Sequence, residues 1–227
     1  MRKRRYGEAM FIGVSVGTGL LCYFINIMCQ YDLETDQTAG RIRYFLRMDR
    51  KRCVFLIVDL VVCMGMTGLF VMYRYGPLKM IRYLLLLALL YPIAAEDARN
   101  KVIPNRWLLY MVFCRACLFV LEAVYLPALI LENMKFTLFG GMMCGGVFLI
   151  AYILSRRAIG MGDVKLAAVM GTCLGFQTTF LAMFAASLLS AVYGGSMVLR
   201  KKKGLRDEIA FGPFIALGTW IVLLIGA

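Results

Sequence analysis

Residues 80–97 read Met80-Ile-Arg-Tyr-Leu-Leu-Leu-Leu-Ala-Leu-Leu-Tyr-Pro-Ile-Ala-Ala-Glu96-Asp97. An apolar run from about Met80 to Ala95 stops on two carboxylates. The run reads as a membrane-spanning helix, and the chain repeats the pattern. Comparable runs lie at about Ala9–Met28, Cys53–Tyr73, Trp107–Leu126, Phe136–Leu154, Thr179–Leu199 and Phe211–Ala227. One further run, Val164–Phe176, covers only about 20 Å as a helix, short of the ~30 Å hydrocarbon core. The expected fold class is all-α: a polytopic helical integral membrane protein with about seven or eight membrane segments.

Composition points the same way. Of 227 residues, 62% are hydrophobic and 17% charged, and the mean hydropathy is +0.77. Soluble domains run at roughly 45–50% apolar and about 25% charged, so neither a soluble enzyme nor a disordered chain fits. The net charge of +13 comes from 26 basic and 13 acidic residues. The basic residues sit in short loops between apolar runs, which the positive-inside rule and anionic lipid headgroups explain. No nucleic-acid partner is expected, because a basic patch for one needs an exposed domain. The polar stretch 30–52 suits a short interfacial helix.

Counting Lys and Arg gives an orientation. With eight spans and the N-terminus outside, the loops 30–52, 96–106, 155–163 and 200–208 carry 16 basic residues against 8 on the other side. The segments 96–106, 155–163 and 200–208 are therefore expected to share the cytoplasmic face. Small-x-x-x-small spacings at Gly13/Gly17, Gly141/Gly145 and Gly171/Gly175 suit close helix packing in lipid.

The eight cysteines lie mostly inside apolar runs, and the chain has no His. Cys114-Arg-Ala-Cys117 is the single C-x-x-C, so a four-ligand zinc site is not supported. A Ser-His-Asp triad is excluded for want of His. No metal and no cofactor are expected.

Ionisable residues at membrane depth cost at least ~2.5–3.5 kcal/mol each at mid-bilayer, which makes them functional candidates. Two contexts stand out. Asp97 ends a span, and six residues later Ile103-Pro104-Asn105 opens the next, with Pro suited to a first helical turn. In Gly160-Met-Gly162-Asp163-Val-Lys165-Leu166, two glycines leave room beside a carboxylate for another backbone or a substrate strand. Asp as a helix N-cap is the plainer reading of Asp163, but it leaves both glycines unexplained. Both aspartates are expected at one membrane face. Two converging carboxylates cannot both ionise comfortably, so one holds its proton and the pair offers an acid and a base.

These residues resemble the A24 family of type IV prepilin peptidases, which are GxGD-type intramembrane aspartic proteases. The family shows an Asp six residues before Ile-Pro-Asn, then Gly-x-Gly-Asp-Val-Lys-Leu about sixty residues on. A third element, Phe211-Gly212-Pro213-Phe214, resembles its late Phe-Gly-Pro-Phe segment, with Ala210 where a Pro often precedes it. The resemblance covers roughly 80–227 and implies a catalytic membrane domain there, leaving 1–79 as an N-terminal membrane region with no recognised motif. It implies an aspartic endopeptidase of the cytoplasmic membrane that cleaves basic leaders from prepilin-like proteins at the cytoplasmic face. Asp97 and Asp163 are then the catalytic pair. Ile103, Pro104, Asn105, Gly160, Gly162, Lys165, Gly212 and Pro213 shape the site. Substrate precursors and membrane lipids are the implied partners. Bifunctional members carry a domain with paired C-x-x-C zinc ligands that N-methylates the product. The chain has no such pairs, so methylation is not expected.

Presenilin-like proteases also use Gly-x-Gly-Asp. They place Pro-Ala-Leu after it, whereas here Pro127-Ala-Leu129 comes before. Asp59 and Arg115 remain, both mid-span. A buried structural ion pair is the simpler reading, and an ion-coupled transporter using them is the alternative class.

Overall fold

The computed structural model describes residues 13–21, 23–25, 27, 50–154, 159–200 and 210–226. Residues 13–21 and 23–25, within the expected first span, are helical. The remaining elements are α1 (Arg50–Met72), α2 (Pro77–Asn100), α3 (Asn105–Tyr125), a 3₁₀ turn (Pro127–Leu129), α4 (Ile130–Leu154), α5 (Met161–Leu174), α6 (Phe176–Leu199) and α7 (Gly212–Ile225). No strand occurs among the described residues. Among the described residues, four segments are long and apolar enough to cross a membrane: α2, α3, Pro127–Leu154 and α6. The fold is all-α and polytopic, as the apolar runs imply. The interfacial helix expected within 30–52 falls largely outside the described residues.

The helices extend past the apolar runs because helix formation does not stop where hydropathy does. The hairpin expected at 96–106 is an instance. α2 runs through Glu96 and Asp97 to Asn100. It is closed by Lys101, whose φ of 54° is left-handed, with the Lys101 N–H donating to the Asp97 carbonyl at 2.8 Å. Asp97 thus sits in the last turn of a helix. Its partner in the hairpin is α3, and the two are stapled by Glu96, which accepts from Arg106 Nη2 at 2.7 Å and Trp107 Nε1 at 2.9 Å.

The chain divides into two compact units, Met1–Ala88 and Leu89–Ala227, with the boundary inside α2. In the first, Phe70, Tyr75 and Tyr83 form an edge-packed aromatic cluster, and Lys79 Nζ stands 3.9 Å from the Tyr75 ring. In the second, small residues set the helix spacing. A Cβ on Gly140 would strike the Gly171 carbonyl, and one on Gly145 would strike Ala168. α4 and α5 therefore approach backbone to backbone. Gly218 plays the same part against Ala182 and Ala186, joining α6 to α7. This is the close packing that lipid favours, since apolar tails give no hydrophobic drive between helices. The expected glycine spacings need one correction. Gly175 has φ +81° and makes the one-residue turn between α5 and α6. Around Gly13 and Gly17, a Cβ would meet nothing among the described residues.

Candidate active site

Four helix ends meet at the site: the C-terminus of α2 and the N-termini of α3, α5 and α7. All lie in the second unit. Asp97 is buried at 6% exposure. Its Oδ2 accepts the Gly212 N–H at 2.6 Å, and the Phe211 N–H also reaches the carboxylate. Phe211 is the N-cap of α7, and Pro213 lies in its first turn. The first amides of a helix have no partner within it and carry partial positive charge, so a carboxylate placed there satisfies both needs. A Cβ on Gly212 would come within 2.9 Å of Asp97 Cβ and Oδ2. Glycine is thus required for the last helix to dock on Asp97.

Asp163 stands in the first turn of α5, three residues after the N-cap, Gly160. It is not itself the cap. Its N–H donates to the Gly160 carbonyl at 3.1 Å, and its carboxylate accepts back from the Gly160 N–H. This is the carboxylate half of a capping box, with glycine in place of the hydroxyl residue. A Cβ on Gly160 would lie 3.2 Å from Asp163 Oδ2, tighter than ordinary contact. Asp163 is close enough to Asp97 for their charges to interact.

The Ile-Pro-Asn and Gly-x-Gly-Asp stretches face one another directly. A Cβ on Gly162 would stand 3.0 Å from Ile103 Cβ. The space left by Gly162 therefore admits Ile103, where the sequence offered a substrate strand as one occupant. Lys165 Nζ donates to Asn105 Oδ1 at 3.2 Å. Pro104 is the N-cap of α3, extended at φ −75°, one residue before the helical turn expected for it. Every residue singled out from the sequence as site-shaping is thus at this cluster.

Arg115 lies deeper. Its guanidinium pairs with Glu122 of its own helix, both terminal nitrogens being 3.2 Å from Oε2. Within the second unit, a carboxylate that meets Arg115 is Glu122. The reading from sequence also missed the Glu96 staple and the Phe211 amide. Glu96 carried a signal, since it precedes a hairpin whose second helix opens with Asn105-Arg106-Trp107.

Residues 83–195 match the sequence model of the Type IV leader peptidase family. A Bacillus subtilis (strain 168) protein named prepilin leader peptidase/N-methyltransferase is 30% identical over 158 residues, 67% of this chain and 59% of that protein. One of the same name from Dichelobacter nodosus is 26% identical over 175 residues, 76% of this chain and 58% of the relative. A third, from Pseudomonas aeruginosa, is 34% identical over 89 residues, 39% and 31% of the two chains. Each match spans less than two thirds of the relative's own length. No solved structure matches. The matched stretch contains Asp97, Asp163 and most of the two helices that carry them, and the chain belongs to the type IV leader peptidase family.

Proposed function

We propose that the protein is a membrane-embedded aspartic endopeptidase that cleaves leader peptides from type IV prepilin-like precursors at the cytoplasmic membrane face. The observation that carries the reading is the meeting of Asp97 and Asp163 on separate helix ends, each held by backbone amides. With one proton between them, the ionised carboxylate takes a proton from water, and the oxygen attacks the scissile carbonyl carbon. The protonated carboxyl donates to the carbonyl oxygen. Collapse of the diol breaks the C–N bond: the leaving nitrogen takes the proton held by the first carboxylate, and the second carboxylate takes a proton back from a diol hydroxyl, leaving the product acid and the pair with one proton again. Cytoplasmic placement is supported by the 16 to 8 excess of basic residues on the expected cytoplasmic side, ten of the 16 being in 96–106, 155–163 and 200–208. Membrane lipids are natural partners of the exposed apolar flanks of α3, α4 and α6.

The test is co-expression with a prepilin-like precursor, followed by its mass and N-terminus. Appearance of a shortened precursor is expected. A precursor left at full mass beside well-inserted protein overturns the proposal.

Because the dyad supplies both acid and base, cleavage is expected to continue in a strong metal chelator and to resist serine-protease reagents. The check is the cleavage rate of purified protein with and without each reagent. Activity lost to chelator and restored by zinc is the contrary result.

Gly162→Val is expected to lower cleavage roughly 100-fold with both aspartates intact. The valine Cβ would already crowd Ile103, and its branches would push the 103–105 turn from α5. A displacement of about 1 Å near a reacting centre costs on this scale. Turnover equal to wild type would show that Gly162 serves only helix packing.

A further inference from the structure

The mechanism leaves one buried charged cluster unused. Arg115 and Glu122 are 4% and 5% exposed, in a helix long and apolar enough to span the bilayer. A buried ion pair is weak evidence for stability, since desolvation offsets its attraction. Its other bonds give it a different meaning. Arg115 Nε donates to the Thr172 backbone carbonyl at 3.0 Å, and Nη2 donates to Thr137 Oγ1 at 2.6 Å. One guanidinium therefore joins α3, α4 and α5.

Thr172 is in the last turn of α5, the helix that carries Asp163. The 14 residues of α5 rise about 21 Å, less than the ~30 Å hydrocarbon core. It ends beside the buried side chains of Cys173 and Leu174, and its last carbonyls, which have no partner within the helix, call for donors from elsewhere in the protein. The Gly171 carbonyl is taken by the Gly175 N–H at 2.9 Å, and that of Thr172 by Arg115. A planar fork is suited to this, because it can hold a carboxylate and a carbonyl at once.

α5 is thus fastened to α3 at two levels. Lys165 binds Asn105 beside the aspartates. Arg115 binds Thr172 seven residues further along α5, about 10 Å deeper. Two ties at different depths prevent one helix from sliding or tilting on the other. We propose that Arg115 is a positioning residue that fixes the register of α5 on α3 and so the placement of Asp163 against Asp97. The inference rests on the peptidase reading only where activity is measured.

The test has an arm that needs no activity. Cysteines introduced by Ile103→Cys and Gly162→Cys stand close enough to cross-link, as the 3.0 Å Cβ approach shows. Oxidation of this pair, followed by mass spectrometry, is compared with and without Arg115→Gln at equal protein level. At least tenfold slower cross-linking is expected in the Gln variant, and an unchanged rate overturns the proposal. If Arg115→Gln does not accumulate, Arg115→Lys replaces it. Lysine keeps a charge near Glu122 but has no fork to reach Thr172 as well, so the same slowing is expected and an unchanged rate is again contrary. In the second arm, on a prepilin-like precursor, Arg115→Lys should lower kcat at least tenfold with KM within twofold. Unaltered kcat overturns the proposal. If wild type cleaves nothing, the peptidase reading fails, while the cross-linking arm still decides the role of Arg115.

Discussion

Asp97→Asn and Asp163→Asn are each expected to abolish precursor cleavage while the protein still inserts and accumulates. Each change removes one titrating carboxylate at nearly constant volume. Asn at 97 still offers an oxygen to the Gly212 amide that Asp97 now engages at 2.6 Å, so α7 keeps its dock. Asn at 163 still offers one to the Gly160 amide. What disappears is the proton exchange. Positioned acid and base groups contribute roughly 10²–10⁴-fold each, and because the two carboxylates act as one unit, losing either should cost about the upper figure. The measurement is the fraction of precursor shortened at matched protein level. Wild-type-like cleavage by either variant would falsify the dyad.

The second large effect is expected at a residue with no chemistry of its own. Gly212→Ala should lower cleavage by roughly 100-fold, the scale for disturbing one preorganised donor at a site. The new methyl group would meet Asp97 Cβ and Oδ2 at 2.9 Å. Either the first turn of α7 backs away and its amides leave the carboxylate, or Asp97 turns out of line with Asp163. The helix itself should survive, since Ala favours helix over Gly. Ala216→Gly, within α7 and away from Asp97, is the control for a general weakening of that helix. The check is cleavage rate beside membrane accumulation. Full activity with Ala at 212 would show that the contact with α7 is not what holds Asp97 in place for cleavage.

The sequence made the helices legible because apolar runs of near-span length leave few alternatives in lipid. It also marked the residues that meet at the candidate site, through two aspartates at the ends of runs and the glycines beside one of them. Three things were not legible, each for a physical reason. The end of α2 extends beyond its apolar run, since polar residues such as Glu96 and Asn100 continue a helix that hydropathy has left. The partner of Gly162 is Ile103, 59 positions away, and spacing alone cannot tell a packed side chain from a passing substrate. The sequence reading set Arg115 against Asp59; Glu122 lies two turns along the same expected span, but whether a guanidinium bends back along its own helix to meet it depends on what else packs there, here Thr137 and Thr172. Gly212 was marked by resemblance alone. Its reason, an amide donated to Asp97, depends on how the last helix docks.

The most direct test of the central claim is the intact mass of a prepilin-like precursor incubated with the purified protein in lipid vesicles. The predicted result is one cut, giving a leader peptide and a shortened pilin-like product, and no cut with the Asp97→Asn/Asp163→Asn double variant. A precursor whose mass stays unchanged beside properly inserted wild-type protein, or one cut equally by the double variant, would contradict the account.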